Sequence, residues 1–306
     1  MSSPIDLYLA IDCGSTKTAA VLCAPSGTIV ANALVGGSNF ASLGIDGFLG
    51  RISEVMSSAL TTALQSPVAI TLPVNPTTRT STTGASTPPY NLRAAWLGVS
   101  GVDSPSAASL LFPHVSALLS VPVERLIISN DTHLLAAPLR TLPDVQTAVA
   151  VVAGTGSIVA SFREGSADAP LETLGRVGGW GWILGDEGSG FDVGRTAVRA
   201  LLADQDKESI GEAATHGPLR EKILKKFAVD EVMDLLVAVY APDSTNSLPR
   251  EGRLSSLCPL VFEAAFEDGD PLAVKVVKDC AYKLATQITR VLLHASAQEA
   301  RSPLIL

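Results

Sequence analysis

The feature that most constrains the fold is a glycine- and hydroxyl-rich turn that occurs twice, each time between two short apolar runs. The first turn is residues 12–18 (Asp-Cys-Gly-Ser-Thr-Lys-Thr), and the second is residues 154–157 (Gly-Thr-Gly-Ser). Apolar, β-branched runs on both sides of such a turn predict a hairpin. Glycine lets backbone N–H groups approach an anion closely, and the hydroxyls add donors. We therefore expect two hairpins whose turns can face an anionic ligand, with a plain polar turn as the alternative for the first.

The first turn differs from the common nucleotide fingerprints. The G-x-x-x-x-G-K-[ST] spacing of the P-loop is absent. A strand rather than a helix follows the turn, which excludes the dinucleotide-binding pattern. Asp12, at the end of the preceding strand, could hold a hydrated Mg²⁺.

A longer glycine-dense stretch follows the two turns, at residues 178–190. It carries two tryptophans and two carboxylates (Gly-Gly-Trp-Gly-Trp-Ile-Leu-Gly-Asp-Glu-Gly-Ser-Gly). Apolar residues at helical spacing follow it, so Ser189 is predicted to be the N-cap of a helix. This composition predicts a small-molecule site, with a tight structural loop as the alternative.

Two further polar residues lie next to predicted strand or helix ends. Asn39 follows Gly-Gly-Ser ahead of a helix and could present its amide to a ligand, or could serve turn chemistry alone. Asp131 comes where a strand ends and a helix begins, a position that lines the ligand crevice in open α/β sheets. Its role is either general base toward a hydroxyl or N-cap of the helix.

Hydrophobic periodicity predicts the remaining elements. Strands are predicted at 7–11, 19–23, 28–34, 94–99, 126–129, 148–153 and 158–162, with another beginning within 302–306. Helices are predicted at 43–64, 105–119, 132–139 (shortened by Pro138), 223–240, 254–266 and 271–294. Residues 66–91 are rich in Pro, Thr and Ser, and predict a disordered insertion with little apolar surface to bury.

Length and charge narrow the class of protein. A chain of 306 residues suits two domains, predicted here at 1–142 and 143–306. The net charge of −8 and the lack of a basic cluster argue against nucleic acid or an anionic membrane as a partner. The start has no signal-peptide pattern, no apolar run reaches membrane-spanning length, and the four cysteines form no Cys-x-x-Cys pair. We expect a cytoplasmic protein with reduced thiols.

The duplicated pattern of meander and helix resembles the eukaryotic N-acetylglucosamine kinases, within the BadF/BadG/BcrA/BcrD-type ATPase group of the actin-like sugar kinase and Hsp70 superfamily. The resemblance runs from about residue 7 to residue 306, interrupted by the insertion at 66–91. Its most specific part is 178–181 followed by 185–189, joined to the turn at 154–157. It implies an α/β fold with two ribonuclease H-like (actin-like ATPase) lobes around a central cleft.

The resemblance also implies an activity and a set of roles. The activity is ATP-dependent phosphorylation of N-acetylglucosamine at its 6-hydroxyl, with Asp131 as the catalytic carboxylate and Asp12 holding Mg²⁺ through water. The partners implied are the amino sugar and ATP, and a homodimer is allowed. The residues implied to bind ATP are Gly14, Ser15, Thr16, Lys17, Gly154, Thr155 and Gly156. The residues implied to bind the sugar are Asn39, Asp131, Ser157, Gly179, Trp180, Gly181 and Asp186.

One departure from the family pattern leaves alternatives open. Relatives continue past the strand at Leu304 into a glycine-rich turn under the adenosine and a final helix, so we expect the second lobe of this chain to be incomplete. A catalytically weak sugar-binding or regulatory protein is therefore the second hypothesis. A third, an ATPase that activates a radical dehydratase through an iron–sulfur cluster, requires clustered cysteines that this spacing does not offer.

Overall fold

The computed structural model describes residues 4–67, 69–72, 89–165, 171–298 and 304–305. Its internal contacts divide the chain into two compact units, Met1–Ala137 and Pro138–Leu306. The division lies a few residues before the boundary of 142/143 expected from sequence. Each unit has its own sheet and is described by itself.

The first unit is built on a five-stranded sheet in the order β3-β2-β1-β4-β5. The strands β1, β2 and β3 form an antiparallel meander, and β4 and β5 run parallel to β1. All five predicted strands are confirmed, although β4 begins several residues earlier than expected. The strands are β1 (Ile5–Cys13), β2 (Lys17–Cys23), β3 (Ile29–Gly36), β4 (Tyr90–Val99) and β5 (Leu126–Ser129).

The α-helices in the described part of the first unit are α1 (Phe40–Ala63), α2 (Pro105–Leu119) and α3 (Thr132–Ala136). Helix α1 packs against β2 and β3 through a buried stripe at helical spacing, and it has a kink at Gly44, whose φ is 64°. Helix α2 has the predicted bounds. Helix α3 gives way to a 3₁₀ turn at Ala137–Thr141, as the position of Pro138 predicts.

The predicted insertion at 66–91 is too long at both ends. Leu72 is 5% exposed and belongs to the core of the first unit, and Ile70 packs against that core. Residues 90 and 91 are already in β4. The prediction missed this pair of apolar residues because Pro, Thr and Ser dominate the composition of the stretch. Residues 68 and 73–88 lie outside the described residues.

The second unit repeats the meander. Its strands β6 (Thr147–Ala153), β7 (Ser157–Arg163), β8 (Glu172–Gly178) and β9 (Leu304–Ile305) lie in the order β8-β7-β6-β9, with β9 parallel to β6. This is the order of β3-β2-β1-β4 in the first sheet. Strand β8 was not predicted, because its sequence is mostly polar and glycine. Its pairing with β7 outweighs its weak intrinsic strand preference.

The helices of the second unit are α4 (Gly190–Ser209), α5 (Pro218–Phe227), α6 (Leu235–Tyr240), α7 (Arg250–Ser255), α8 (Cys258–Phe266) and α9 (Pro271–Gln298). The prediction of one helix at 223–240 is wrong, because Ala228 adopts a left-handed φ of 52° that ends α5. The prediction of one helix at 254–266 is also wrong, because α7 ends at Ser255 and α8 begins afresh with Pro259 in its first turn. The long final helix is confirmed.

Two negative findings apply to the part of the chain that the structure describes. No helix there combines the length and apolar character that crossing a bilayer requires. The four cysteines are all free. Burial raises the pKa of the Cys13 thiol to about 12 and that of Cys280 to about 11, so both remain protonated and unreactive near neutral pH.

Two helical glycines, one with a close neighbour and one without, allow the packing of α4 to be tested. A Cβ added to Gly194 in α4 would lie 1.9 Å from the carbonyl oxygen of Leu254, whereas one added to Gly50 in α1 would meet nothing within 4 Å. We expect Gly194→Ala to lower the free energy of unfolding by about 1–3 kcal/mol through overpacking. Gly50→Ala should raise it by about 0.5–1 kcal/mol through helix propensity. Urea unfolding of both variants measures this, and equal stabilities would contradict the close approach of α4 and α7.

Candidate functional site

The first glycine-rich turn connects β1 and β2 and is braced by the loop before α1. The N–H of Gly14 donates to the carbonyl of Lys17 (3.0 Å), and the N–H of Ser38 donates to the carbonyl of Gly14 (2.9 Å). A Cβ on Gly37 would lie 2.0 Å from the carbonyl oxygen of Ser15. The turn and the loop therefore approach more closely than any other residue at position 37 would permit.

Asn39 uses most of its hydrogen-bonding capacity within the first unit. Its Oδ1 accepts from the N–H of Ser42 (3.1 Å) and caps α1, while its Nδ2 donates to Ser15 Oγ (3.1 Å) and to Ser100 Oγ (3.0 Å). Both amide hydrogens are thus engaged, and one lone pair of Oδ1 remains for a ligand. Asn39 therefore has a structural role in the turn, and its sugar contact stays a prediction.

Asp131 lies between β5 and α3, and its carboxylate makes no capping hydrogen bond. Asp131 therefore occupies the N-cap position, as the N-cap interpretation expected, but its side chain does not cap α3. Asn130 serves that purpose instead, because its Oδ1 accepts from both the N–H (3.1 Å) and the Oγ1 (2.6 Å) of Thr132. The amide of Asn130 also donates to Asp103 Oδ1 (3.0 Å). Asp131 is left without a capping role.

The negative charge of Asp12 affects the carboxyl group of Asp131. Burial, together with the nearby negative charge of Asp12, raises the pKa of Asp131 to about 6. The pKa of Asp12 is itself raised, because the increase caused by desolvation exceeds the decrease caused by the charge of Lys17. A carboxyl group that titrates near pH 6 can accept a proton at neutral pH more readily than an ordinary aspartate.

Gly98 in β4 allows helix α3 to begin close to the sheet. A Cβ at this position would lie 2.5 Å from Leu134 Cδ1 and 3.0 Å from the Cα of Asp131. Any larger residue would therefore displace the start of α3. The position of Asp131 depends on this glycine.

The second glycine-rich turn connects β6 and β7 and is attached to the start of α4. The carbonyls of Gly154 and Thr155 accept from the N–H groups of Gly190 (2.8 Å) and Phe191 (3.2 Å). Ser189 Oγ accepts from the N–H of Asp192 (3.1 Å), so the predicted N-cap is confirmed. These N-terminal donors of α4 are satisfied by the protein itself.

Asp186 lies against the second turn with a left-handed φ of 63°. Its Oδ1 accepts from the N–H of Ser157 (3.2 Å). A Cβ on Gly156 would lie 2.8 Å from its Oδ2, so a larger residue there would displace the carboxylate. Ser157 is 2% exposed and its hydroxyl donates to the carbonyl of Glu187 (2.9 Å). Its sugar contact stays a prediction, and its hydroxyl hydrogen is already engaged. Burial raises the pKa of Asp186.

The segment 179–181 places an aromatic face at the surface of the second unit. Gly179 donates its N–H to the carbonyl of Ser157 (2.8 Å). Trp180 is 67% exposed, with the Arg176 guanidinium 5.2 Å from its ring centroid. Trp182, by contrast, packs edge-on against Phe191. Only one of the two tryptophans is therefore part of the packed core.

The predicted site residues fall into two groups, one in each unit. In the first unit the structure brings together the turn and Asn39, and it places Asp12 near Asp131. In the second unit it brings together the turn, Asp186 and Gly179. Three further residues had no role predicted from the sequence. They are Ser100, Asn130 and Gln287, whose Nε2 donates to the carbonyl of Glu187 (2.7 Å). The only available signal was the motif Gly-Val-Ser-Gly at a strand end, which contains Ser100.

The raised pKa of Asp131 has a consequence for stability. In the unfolded chain this carboxyl has its ordinary pKa of 3.8, against about 6 in the folded protein. The fold therefore disfavours the ionised form; the penalty is absent below the lower value and complete above the higher one. Asp131→Asn should raise the free energy of unfolding by about 1–3 kcal/mol at pH 8 and by less at pH 5. Denaturant unfolding at both pH values tests this, with exposed Asp46→Asn as control; a gain independent of pH would contradict it.

Comparison with known proteins places these two sites in a family context. The family model described as the BadF/BadG/BcrA/BcrD ATPase family matches residues 9–300. The chain is 28% identical over 302 residues to an N-acetyl-D-glucosamine kinase of Dictyostelium discoideum, covering 98% of this chain and 84% of that protein. It is 28% identical over 210 residues to an N-acetylmuramic acid/N-acetylglucosamine kinase of Clostridium acetobutylicum, covering 67% of this chain and 60% of that protein.

A crystal structure shares the fold. It is that of a candidate N-acetylglucosamine kinase from Chromobacterium violaceum, with a TM-score of 0.65 and 22% identity, covering 98% of this chain and 86% of that chain. The expected actin-like α/β fold and the resemblance to N-acetylglucosamine kinases are thereby confirmed. Since the family model spans nearly the whole chain, the protein belongs to the BadF/BadG/BcrA/BcrD ATPase family.

Proposed function

We propose that this protein is an ATP-dependent N-acetylglucosamine kinase that phosphorylates the sugar 6-hydroxyl with Asp131 as general base. Its family membership and the names of its relatives support a sugar kinase. The observation on which the proposal mainly depends is the environment of Asp131. This carboxyl follows a parallel strand, makes no capping hydrogen bond, and has its pKa raised by burial to about 6.

The chemistry requires positioning more than covalent catalysis. As the bond between the sugar oxygen and the γ-phosphorus forms, the bond from that phosphorus to the β-phosphate oxygen breaks and ADP leaves. Asp131 would orient the attacking hydroxyl and accept its proton. A base with a pKa near 6 is mostly ionised at neutral pH and is therefore ready to accept it.

The phosphates of ATP would be bound by the two turns, through Gly14, Ser15, Thr16 and Lys17 in the first unit and through residues 154–156 in the second. Asp12 supplies the hard oxygen ligand that Mg²⁺ prefers. The described residues form no cluster of three or more His, Cys, Asp or Glu that could hold a metal, which fits an ion bound through one carboxylate, waters and phosphate. Bound Mg²⁺ would neutralise charge on the phosphates.

The amino sugar would contact the groups that the fold leaves available. These are the remaining lone pair of Asn39 Oδ1, the carboxylate of Asp186 and the exposed face of Trp180. The backbone of Gly179 and Gly181 would lie beside that face. The net charge of −8 argues against nucleic acid or an anionic membrane as a partner. A homodimer is a further part of the proposal, and sedimentation can test it.

An ADP-release assay across several sugars tests the function directly. We expect the highest kcat/KM with N-acetylglucosamine among N-acetylglucosamine, N-acetylmuramic acid, glucosamine, N-acetylmannosamine and glucose, because buried polar groups reject substrates that leave them unpaired. Phosphorus–proton coupling in the product spectrum should place the phosphate on oxygen 6. If no amino sugar accelerates ADP release, the proposal fails. Sugar binding without ADP release would select the sugar-binding hypothesis.

The role of Asp131 gives a separate prediction. Asp131→Asn should lower kcat by about 10²–10⁴-fold, the contribution typical of a general base, while sugar binding measured by calorimetry is largely retained. In the unmodified protein, log kcat/KM should fall by about one unit per pH unit below about pH 6, because protonation removes the base. Asp46→Asn is the control. A near-normal kcat for Asp131→Asn would remove this residue from the mechanism.

A further inference from the structure

The motif Gly-Val-Ser-Gly at residues 98–101 has no role in the function proposed above, apart from the space that Gly98 gives to Asp131. Ser100 follows β4 directly, and its backbone is held on both sides. Its N–H donates to the carbonyl of Cys13 (3.0 Å), and its carbonyl accepts from the N–H of Phe40 (2.9 Å). Ser100 is therefore fixed between the end of β1 and the start of α1.

The hydroxyl of Ser100 completes a triangle of hydrogen bonds with Asn39 and Ser15. Asn39 Nδ2 donates to Ser15 Oγ (3.1 Å) and to Ser100 Oγ (3.0 Å), and the two hydroxyl oxygens are 3.2 Å apart. One serine hydroxyl can donate to the other, which leaves the second hydroxyl hydrogen available outside the triangle. The three side chains come from the first turn, the loop before α1 and the end of β4.

Gly101 also restricts the position of Asn39. Its φ is +85°, and a Cβ there would lie 2.8 Å from the N of Ala41 and 2.9 Å from Asn39 Oδ1. A larger residue would push Asn39 away from Ser100. The Ser-Gly pair at 100–101 thus sets the orientation of the Asn39 amide.

We propose that Ser100 is a positioning residue that couples the nucleotide turn to the sugar-binding loop; this rests on the function proposed above. A phosphate oxygen is an acceptor, so it takes the hydroxyl hydrogen of Ser15. Ser15 Oγ can then only accept within the triangle, and Ser100 can donate to it. Asn39 Nδ2 donates to both serine oxygens whichever serine is the donor. The nucleotide therefore does not reorient Asn39. It holds Ser15 Oγ and, through it, Ser100 Oγ, and this restricts the amide to the orientation that presents Oδ1 to the sugar. Each ligand therefore tightens the binding of the other.

Calorimetry on the full chain tests the coupling. The dissociation constant for N-acetylglucosamine is measured with and without a non-hydrolysable ATP analogue and Mg²⁺, and the ratio of the two is the coupling factor. We expect a factor above five for the wild-type protein, reduced about fivefold or more in Ser100→Ala, as loss of one hydrogen bond predicts. Sugar affinity without nucleotide should change less than threefold. The control is Ser109→Ala, an exposed serine on α2 whose hydroxyl donates to the carbonyl of Pro105.

A second measurement needs no ligand. In ¹⁵N spectra of the free protein, the side-chain amide signals of Asn39, assigned by their loss in Asn39→Asp, should shift and exchange faster in Ser100→Ala but not in Ser109→Ala. Ser15→Ala, a change in the exposed turn, should reproduce the loss of coupling, and the double variant should lose no more than either single one.

The outcomes separate the two proposals. If the wild-type protein phosphorylates no amino sugar, the proposed function fails, and the coupling proposal built on it fails as well, while the amide signals still report whether the triangle exists. If the wild-type protein is an active kinase but its coupling factor is near one, or Ser100→Ala retains the wild-type factor, the coupling proposal alone is overturned.

Discussion

In each unit, a polar side chain from a later loop reaches back to a serine of the glycine-rich turn. Asn39 donates to Ser15 Oγ in the first unit, and Asp186 accepts from the N–H of Ser157 in the second. The contacts are possible because neighbouring positions carry no Cβ, since one at Gly37 or Gly156 would collide with the partner. The shape of both turns, and of whatever they bind, depends on these two contacts.

Much of this could be predicted from the sequence because it depends on local patterns. Strand alternation and helical periodicity located the meanders and the long helix α9, and capping chemistry identified Ser189. Strand β8 could not be found in this way, because its residues form a strand only through pairing with β7. The left-handed Ala228 that ends α5 was hidden for a similar reason, since alanine favours continuing a helix.

The chemistry of the site was harder to predict than the position of its residues. A sequence cannot tell whether Asn130 or Asp131 caps α3, because both residue types favour that position. The structure resolves it in favour of Asn130. Consequently the carboxylate of Asp131 is partly buried near another negative charge, where its ionised form is disfavoured. A fold optimised for stability alone would replace this group, so its presence is an argument for function.

The surroundings of the two turn contacts differ in one respect that matters for ligand response. Both contacts have a fixed direction, because the amide group of Asn39 and the N–H of Ser157 can only donate. In the first unit, however, the neighbouring hydrogen bond between Ser15 and Ser100 can run in either direction. A ligand that demands a donor from Ser15 can therefore reverse that neighbouring bond without moving a heavy atom, whereas the contact of Ser157 with Asp186 can only be kept or broken. The first unit can thus respond to a ligand at its turn through a change of hydrogen-bond direction alone.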